Sequence, residues 1–546
     1  MMKIALAQLD YMIGDFEGNF NKISQYIHTA KNKGADIICF GELATCGYPP
    51  RDFLEFKDFI AQSNDALAKI TTLADGIAIV IGAPTVNPKI EGKDLFNSVY
   101  FLADQRILHR ADKALLPTYD IFDEYRYFEP GKEFKVVSFK GKKIALTVCE
   151  DIWNVGNENP MYTVCPLDEM QGQRPDLIIN VSASPFNYNQ SVERLKVIRA
   201  NVERYHIPMF YVNHVGAQTD VIFDGGSVVI SGAGVVYREM NYFEEALEIF
   251  DLDEVRSAST DQIQSQEKIH LIYDALVLGI RDYFSKLNFK NAVLGLSGGI
   301  DSAVTTALAV AALGKEHVRV LLMPSQYSSA HSISDAIDLA NTLGIRYDVV
   351  PIKSVYDTYE SLLQPFFEGK APNITEENIQ ARIRGMLLMA ISNKFGNILL
   401  NTSNKSEMAV GYGTLYGDMC GGLAVLGDVY KTQVYELARY INRIEKIIPE
   451  NSIIKPPSAE LKPGQKDADS LPPYDILDSI LYEYIEMRRG PKEIINLGFE
   501  QQLVERVLKL VNINEFKREQ TAPVIRVSPK AFGMGRRMPI VGKYLS

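Results

Sequence analysis

From Val293 the chain passes from an apolar strand pattern into a helix through Ser297-Gly298-Gly299-Ile300-Asp301-Ser302, and no other stretch restricts the fold as much. Val293, Leu294 and Leu296 read as a buried parallel strand, and Ser302 to Ala312 as the helix after it. Consecutive glycines let the backbone turn tightly with its N–H groups exposed, while the helix points its positive end at the same spot. The loop from Gly295 through Leu296 to Ser302 is therefore an anion site in a doubly wound α/β sheet, suited to a nucleotide phosphate. Its spacing is not GxxxxGK[ST] and no lysine follows, which argues against an ordinary γ-phosphate-cleaving loop.

A chain of 546 residues exceeds what one core supports, so at least two domains are expected. Asp251 to Gln266 is polar and reads as a linker, giving domains at 1–255 and 269–546 joined by 256–268. No run of about 18 apolar residues appears, so a soluble protein without a membrane partner is expected. The opening run Met1 to Leu9 is too short and too soon polar for a signal peptide; it reads as a first core strand, with cytoplasmic residence as the default. The net charge of −11 argues against nucleic acid as a partner, and Arg536-Arg537 is too small a basic cluster to change that. The five cysteines are scattered without a CxxC pair, so a special one among them is catalytic rather than part of a disulfide framework.

The first half alternates short β-rich runs with amphipathic helices, the pattern of a layered α/β domain with its chemistry at strand ends. A helix is expected over Asn19 to Lys33, with Phe20, Ile23, Ile27 and Ala30 on its core face. Three residues stand at or just beyond strand ends: Glu42 after Ile37-Ile38-Cys39-Phe40, Lys113 in Asp112-Lys113-Ala114-Leu115-Leu116-Pro117, and Cys149 closing Ile144 to Cys149. A thiol becomes a good nucleophile beside a base or a cation, so a carboxylate and a lysine suit it. Glu42 can take the thiol proton, and Lys113 can stabilise the oxyanion as an amide carbonyl is attacked.

With Tyr48-Pro49 after Glu42, Lys-x-x-Leu-Pro at Lys113 and Cys-Glu-Asp-x-Trp at Cys149, this order resembles the nitrilase/amidase superfamily and its Glu-Lys-Cys triad. The resemblance covers nearly all of residues 1–255 and implies a four-layer α-β-β-α sandwich. It also gives Glu124 the place of an accessory glutamate that orients Lys113 or substrate. Ser-Gly-Gly-x-Asp-Ser in turn resembles the pyrophosphate loop of the ATP-pyrophosphatases, which implies that Asp301 helps hold Mg2+ against the phosphates of ATP.

Further stretches extend that second likeness: Met323 to Ser329, Glu377 to Arg384, Asn401 to Glu407, Gly411 to Asp418, Asn514 to Gln520 and Ser528 to Gly533 look like those of the NAD synthetases. The whole chain thus resembles the glutamine-dependent NAD synthetase family. The resemblance implies ATP contact at Gly295 to Ser302, Thr402 and Lys431, and deamido-NAD contact at Asn378, Arg382, Glu407 and Lys517. Glu407 would either join Asp301 on Mg2+ or touch the dinucleotide. Arg382 and Lys517 are suitable cations for a substrate with phosphates and a nicotinate carboxylate, and Asn378 offers a neutral hydrogen-bonding partner.

The implied reaction has two halves. Cys149 frees ammonia from glutamine, the thioester being hydrolysed with Glu42 as base; the nicotinate carboxylate, adenylated by ATP with loss of pyrophosphate, then takes up the ammonia as AMP leaves. An enclosed ammonia passage and a homo-oligomer are implied by the same likeness. Tyr119 and Ser184 match positions that hold the glutamine amino-acid moiety, but Gln190 stands where a lysine or arginine is common, so asparagine or another small amide stays open as a donor. Two rivals remain. One is an amidase fused to an adenylating domain for another substrate; the other is a scaffold that only mediates assembly, against which the intact Glu42, Lys113 and Cys149 speak. Asn451 to Pro473, rich in Pro, Lys and Asp, reads as a lid.

Overall fold

The computed structural model describes residues 2–159, 161–264 and 266–545. The chain divides between Gln266 and Glu267 into two compact units.

The first unit is built on two six-stranded sheets. One runs in the spatial order Ala246–Asp251, Lys3–Gln8, Ile37–Cys39, Ala78–Val86, Leu95–Ala103, Arg106–Asp112. The other runs Val236–Glu239, Val228–Ile230, Met209–Val212, Leu177–Val181, Lys142–Val148, Val137–Phe139. Alternation along the strands sorts their side chains into layers. Ile4 and Leu6 meet Val80, Phe101, Leu146, Val148 and Ile179 in a core shared by the two sheets. Ala5 and Ala7 turn the other way, onto the helices Phe16–Asn32 and Lys57–Thr72 through Ile23, Ile27, Leu67 and Ile70. On the opposite outer face Ile178 and Tyr211 pack with Ile198 and Val202 of the helix Gln190–Tyr205. Each fully buried aliphatic or aromatic side chain contributes roughly 1.5–3 kcal/mol to this arrangement. Helix, sheet, sheet and helix make the expected four layers.

Two departures from the sequence reading have local causes. The first helix begins at Phe16, not Asn19, because Asp15 caps it by accepting from the Gly18 N–H at 2.9 Å. The polar stretch read as a linker starts inside a strand: Asp251 pairs with Lys3 at the end of the antiparallel ladder Ala246–Asp251. Beyond the short helix Leu252–Arg256, Gln262 donates to the Val236 carbonyl and Gln264 to Glu239, so the stretch is stitched to the first unit as far as Gln264.

The second unit holds five parallel strands in the order Arg346–Val349, Val318–Leu322, Ala292–Gly295, Ile398–Asn401, Leu423–Ala424. The strand Ala292–Gly295 is central and first in sequence; the next two spread to one side of it and the last two to the other. That reversal between Ala292–Gly295 and Ile398–Asn401 is a topological switch point, where a crevice opens beyond the strands' carboxyl ends. Val293, Leu321, Leu388 and Leu399 form the core beneath it. A separate helical core, including Leu477, Leu481, Val504 and Leu508, carries the C-terminal part of the unit.

Candidate active sites

In the first unit Glu42 follows one strand, Lys113 another and Cys149 a third, and the fold brings the first two into contact. The Lys113 ammonium is 1 % exposed and donates to Glu42 Oε1 and Glu124 Oε1, each at 2.8 Å. Burial alone would strip its proton, but Glu124 and Glu42 outweigh that and hold its pKa well above the ordinary lysine value. Glu42 also accepts from Asn97 Nδ2 at 2.6 Å and from the Ala183 N–H at 3.1 Å. Glu124 takes a further bond from the Tyr48 hydroxyl at 2.7 Å, while its buried Oε2 has no partner among the described residues. Burial pushes its carboxyl up to about 7 against the pull of Lys113, and Glu42 adds to the rise.

Cys149 leaves its strand in a left-handed conformation, φ +40°, at the first residue of a short 3-10 turn. A non-glycine residue held there carries local strain of order 1–3 kcal/mol, and such strain clusters at functional sites. Its thiol is buried, and burial together with Glu42 raises its pKa well above the free value, Lys113 opposing. The resting Cys149 is thus a neutral thiol, and its use as a nucleophile would call for a base.

The next two residues complete the turn. Glu150 accepts from the Tyr119 hydroxyl at 3.0 and 3.1 Å and from the Tyr162 hydroxyl at 2.6 Å. Asp151 spans two chain segments: Oδ1 takes the N–H groups of Ala114 and Leu115 at 2.9 and 3.0 Å, and Oδ2 that of Val148 at 3.0 Å. It thereby ties the residues directly after Lys113 to the residue directly before Cys149. The sequence reading passed over both Asp151 and Asn97, although Asp151 lies in the quoted Cys-Glu-Asp-x-Trp run.

Of the expected glutamine contacts, Tyr119 lies against Glu150, and Ser184 and Gln190 lie together. Gln190 Nε2 is 3.5 Å from Ser184 Oγ, and its Oε1 accepts from Asn187 at 3.0 Å. The nearby guanidinium of Arg194 is committed to a buried two-pronged pair with Asp224 at 2.9 and 3.1 Å.

In the second unit the Ser297-to-Ser302 loop opens a cavity of 570 Å3. Gly298 has φ +82°, and a Cβ there would stand 2.1 Å from the Ser332 carbonyl oxygen, so only glycine fits. The helix begins at Ile300, two residues earlier than the apolar pattern suggests, which puts Asp301 in its first turn. Ser297 Oγ accepts from the Gly299 N–H at 3.2 Å and lies 3.1 Å from Ser302 Oγ, fixing the loop.

Across the switch point, Asn404 donates to Asp301 Oδ1 at 2.8 Å. Lys431 joins the same group, its ammonium 2.5 Å from Asp301 Oδ2 and 3.2 Å from Glu407 Oε1. Burial acts to lower the Lys431 pKa, but Asp301 and Glu407 raise it overall. Glu407 is pushed up to about 8, by burial first and then by Asp301 and Asp467, with Lys431 opposing. Thr402 lines the cavity beside them.

Three of the four expected dinucleotide contacts gather on the loop Gly411 to Gly417, whose Tyr412 and Gly417 line the same cavity. Asn378 Oδ1 accepts from Thr414 Oγ1 at 2.8 Å, Arg382 Nε donates to the Leu415 carbonyl at 3.2 Å, and Lys517 donates to the Gly411 and Gly413 carbonyls at 2.8 Å each. Glu407 meets that loop through its backbone carbonyl, which accepts from the Tyr412 N–H at 2.9 Å, while its side chain shares Lys431 with Asp301. The stretch read as a lid crosses the cavity: Glu460 accepts from Ser329 and Ser332, Ser452 donates to the Gly298 carbonyl at 3.0 Å, and Asp467 takes the hydroxyls of Tyr412 and Tyr474.

Residues 3–262 match the carbon-nitrogen hydrolase family, and residues 272–521 match the NAD synthase family. The glutamine-dependent NAD(+) synthetase of Synechocystis sp. is 45% identical, with 99% of this chain and 98% of that protein aligned. The Thermotoga maritima protein of the same name is 40% identical over 100% and 99%. The solved structure of the Acinetobacter baumannii glutamine-dependent NAD+ synthetase, in complex with ADP, superposes with a TM-score of 0.78 at 38% identity over 99% of this chain and 98% of that one. With both family models matched and relatives 45% and 40% identical aligned end to end, the chain belongs to the glutamine-dependent NAD(+) synthetase family.

Proposed function

We propose that this protein amidates deamido-NAD to NAD with ATP, using ammonia it releases from glutamine and yielding AMP, pyrophosphate and glutamate. The observation that carries the reading is one chain holding both a lysine-bridged carboxylate cluster beside a strained cysteine and a glycine-forced phosphate loop at a switch point.

In the amidase site Tyr119, Ser184 and Gln190 hold the amino-acid end of glutamine. The Glu42 carboxylate takes the Cys149 proton as sulfur attacks the amide carbon, and the Lys113 ammonium stabilises the developing oxyanion. The C–N bond breaks, ammonia leaves with the transferred proton, and water, deprotonated by Glu42, hydrolyses the glutamyl thioester.

In the synthetase site the loop N–H groups and the Ile300–Leu313 helix N-terminus receive the phosphates of ATP, with Thr402 and Lys431 beside them. Asp301 and Glu407 share one ammonium and present carboxylate oxygens to one corner of the cavity. This donor set fits Mg2+, which takes one or two carboxylates and completes its shell with phosphate and water oxygens. Bound there, the ion would neutralise phosphate charge. Asn378, Arg382 and Lys517 hold the dinucleotide so that its nicotinate carboxylate reaches the α-phosphorus. Among the described residues no helix is long and apolar enough to cross a membrane. Cytoplasmic residence and a homo-oligomeric assembly belong to the same reading.

Product analysis with deamido-NAD, ATP and either glutamine or ammonium tests it. Cys149→Ala should lose only the glutamine-driven reaction, and Asp301→Ala both. ATP consumption without AMP and pyrophosphate would refute it.

A further inference from the structure

The helix Ile374–Phe395 carries two arginines two residues apart, which places their side chains on nearly opposite faces of the helix. Arg382 turns to the loop that collects the expected dinucleotide contacts. Arg384 turns to the other side and lines the phosphate-loop cavity, together with Gly295, Met323 and Leu388. Its Nε donates to the Met323 carbonyl at 3.0 Å, at the mouth of the strand Val318–Leu322, and this bond holds the guanidinium in place. Among the described residues its four terminal N–H groups make no hydrogen bond, and no carboxylate forms an ion pair with it.

The other cations near this chemistry are either engaged or, like Arg382 and Lys466, exposed to solvent. Lys431 bridges Asp301 and Glu407, Lys455 pairs with Asp335, and Lys517 is spent on two carbonyls. Arg384 is different: it is desolvated enough to be drawn down to about 10, with only distant attraction from Asp418 and Glu460. Asp418 lines the same cavity, accepts from the Thr414 N–H at 2.6 Å and is also attracted by Lys517. Arg384 therefore stands where the nucleotide side of the cavity, marked by Met323, meets the dinucleotide side, marked by Asp418 and Lys517. A guanidinium fork with both outer nitrogens open is a receptor for two oxygens of one phosphoryl group.

We propose that Arg384 is a catalytic residue of the synthetase site, gripping the α-phosphoryl group of ATP and the acyl-adenylate formed from it. This rests on the adenylation reading above. A carboxylate oxygen of the dinucleotide bonds to the α-phosphorus, and the bond from that phosphorus to the bridging oxygen breaks. Pyrophosphate leaves with the electron pair, and no proton or electron is exchanged with the protein. Two anions must approach each other in this step, and charge grows on the oxygens of the phosphorus between them. A fixed cation at that point is worth most at the transition state.

The test is deamido-NAD-dependent exchange of labelled pyrophosphate into ATP by the full chain. It reads adenylation alone and needs neither glutamine nor ammonia. Arg384→Ala should lower the maximal exchange rate about 100-fold, the typical loss of one such donor, with the half-saturating concentrations of ATP and deamido-NAD changed less than about threefold. Arg384→Lys should recover part of the rate. Glutaminase activity measured as glutamate release should persist in both variants and report that they are folded. Wild-type exchange in Arg384→Ala, or a loss confined to ATP affinity, would overturn the assignment of Arg384 alone. A wild-type chain that exchanges no pyrophosphate would overturn the adenylation reading itself, and with it this inference.

Discussion

Asp151 touches no proposed substrate position, yet its removal should disable the amidase site. Its carboxylate is the acceptor for three buried backbone N–H groups, those of Ala114, Leu115 and Val148. Asp151→Ala leaves all three without a partner in a region where the surrounding side chains are buried. A buried donor left unpaired costs about 1–3 kcal/mol, so the three together amount to at least about 3 kcal/mol, applied to the segments that carry Lys113 and Cys149. The chain can relieve this only by letting those segments part or by admitting water between them, and either displaces the ammonium from the oxyanion it is to meet. Glutamine-driven NAD formation should fall at least about 10-fold, because misplacement by an ångström is enough for losses of that size. Ammonium-driven formation should be unchanged. Asp151→Asn keeps one oxygen for Ala114 and Leu115 but sets an amide N–H against Val148, so its loss should be intermediate. Steady-state kinetics with the two nitrogen sources measures this directly. If Asp151→Ala kept its glutamine-driven rate within about twofold of wild type, the clamp would be refuted.

Four further outcomes rest on particular contacts. Glu124, pushed up to about 7 by burial, must be ionised to share Lys113, so the glutaminase kcat/KM should rise with pH through that region and Glu124→Gln should abolish the inflection. The same raised carboxyl makes a stability contribution that is complete below the ordinary glutamate range and is lost as pH rises through about 7, so the wild-type first unit should lose more thermal stability than Glu124→Gln between pH 5 and 8. Gly298→Ala drives a Cβ to 2.1 Å from the Ser332 carbonyl oxygen at φ +82°; ATP-dependent turnover should fall at least about 10-fold, while glutaminase activity, assayed as glutamate release, stays intact. Gln190→Lys should lower the glutamine KM several-fold without changing kcat, because a charge beside Ser184 would pair with the substrate carboxylate; equal preference for asparagine in the wild type would instead point to a different contact.

What the sequence made legible is chemistry concentrated in short runs. Ser297-Gly298-Gly299-Ile300-Asp301-Ser302 reports its own strand-to-helix context, and Gly298 sits in the left-handed region such a loop needs. The four-layer sandwich was expected from the family resemblance, and the burial alternation of the strands accounts for it physically. The missed residues act through partners far along the chain. Asn97 meets Glu42 across 55 positions, Asn404 meets Asp301 across 103, and Arg384 matters because of Met323 and the cavity behind it. No local pattern announces such pairings. The strand Ala246–Asp251 was hidden for a related reason: four of its six residues are only partly buried at a sheet edge, so its alternation is weak and its polar end reads as loop.

The two sites share an electrostatic design that neither motif reveals. In each, one buried lysine is divided between two carboxylates: Lys113 between Glu42 and Glu124, and Lys431 between Asp301 and Glu407. One ammonium cannot neutralise two carboxylates, so each trio, fully ionised, carries one negative charge in a poorly solvated place. The cost falls on one member, and Glu124 rises to about 7 while Glu407 rises to about 8. A trio near neutrality therefore stands close to a proton-bound, uncharged form, which burial tolerates. The chemistry then sets opposite demands. In the amidase site the incoming oxyanion draws on the lysine, and the carboxylate that holds it must stay ionised to keep it charged. In the synthetase site the incoming phosphates carry several negative charges, and two free carboxylates facing them would repel unless a cation, from protein or solution, stood between. On the proposed chemistry the same kind of trio would hold a lysine at one site and seat a compensating cation at the other, and the difference lies in what each substrate brings.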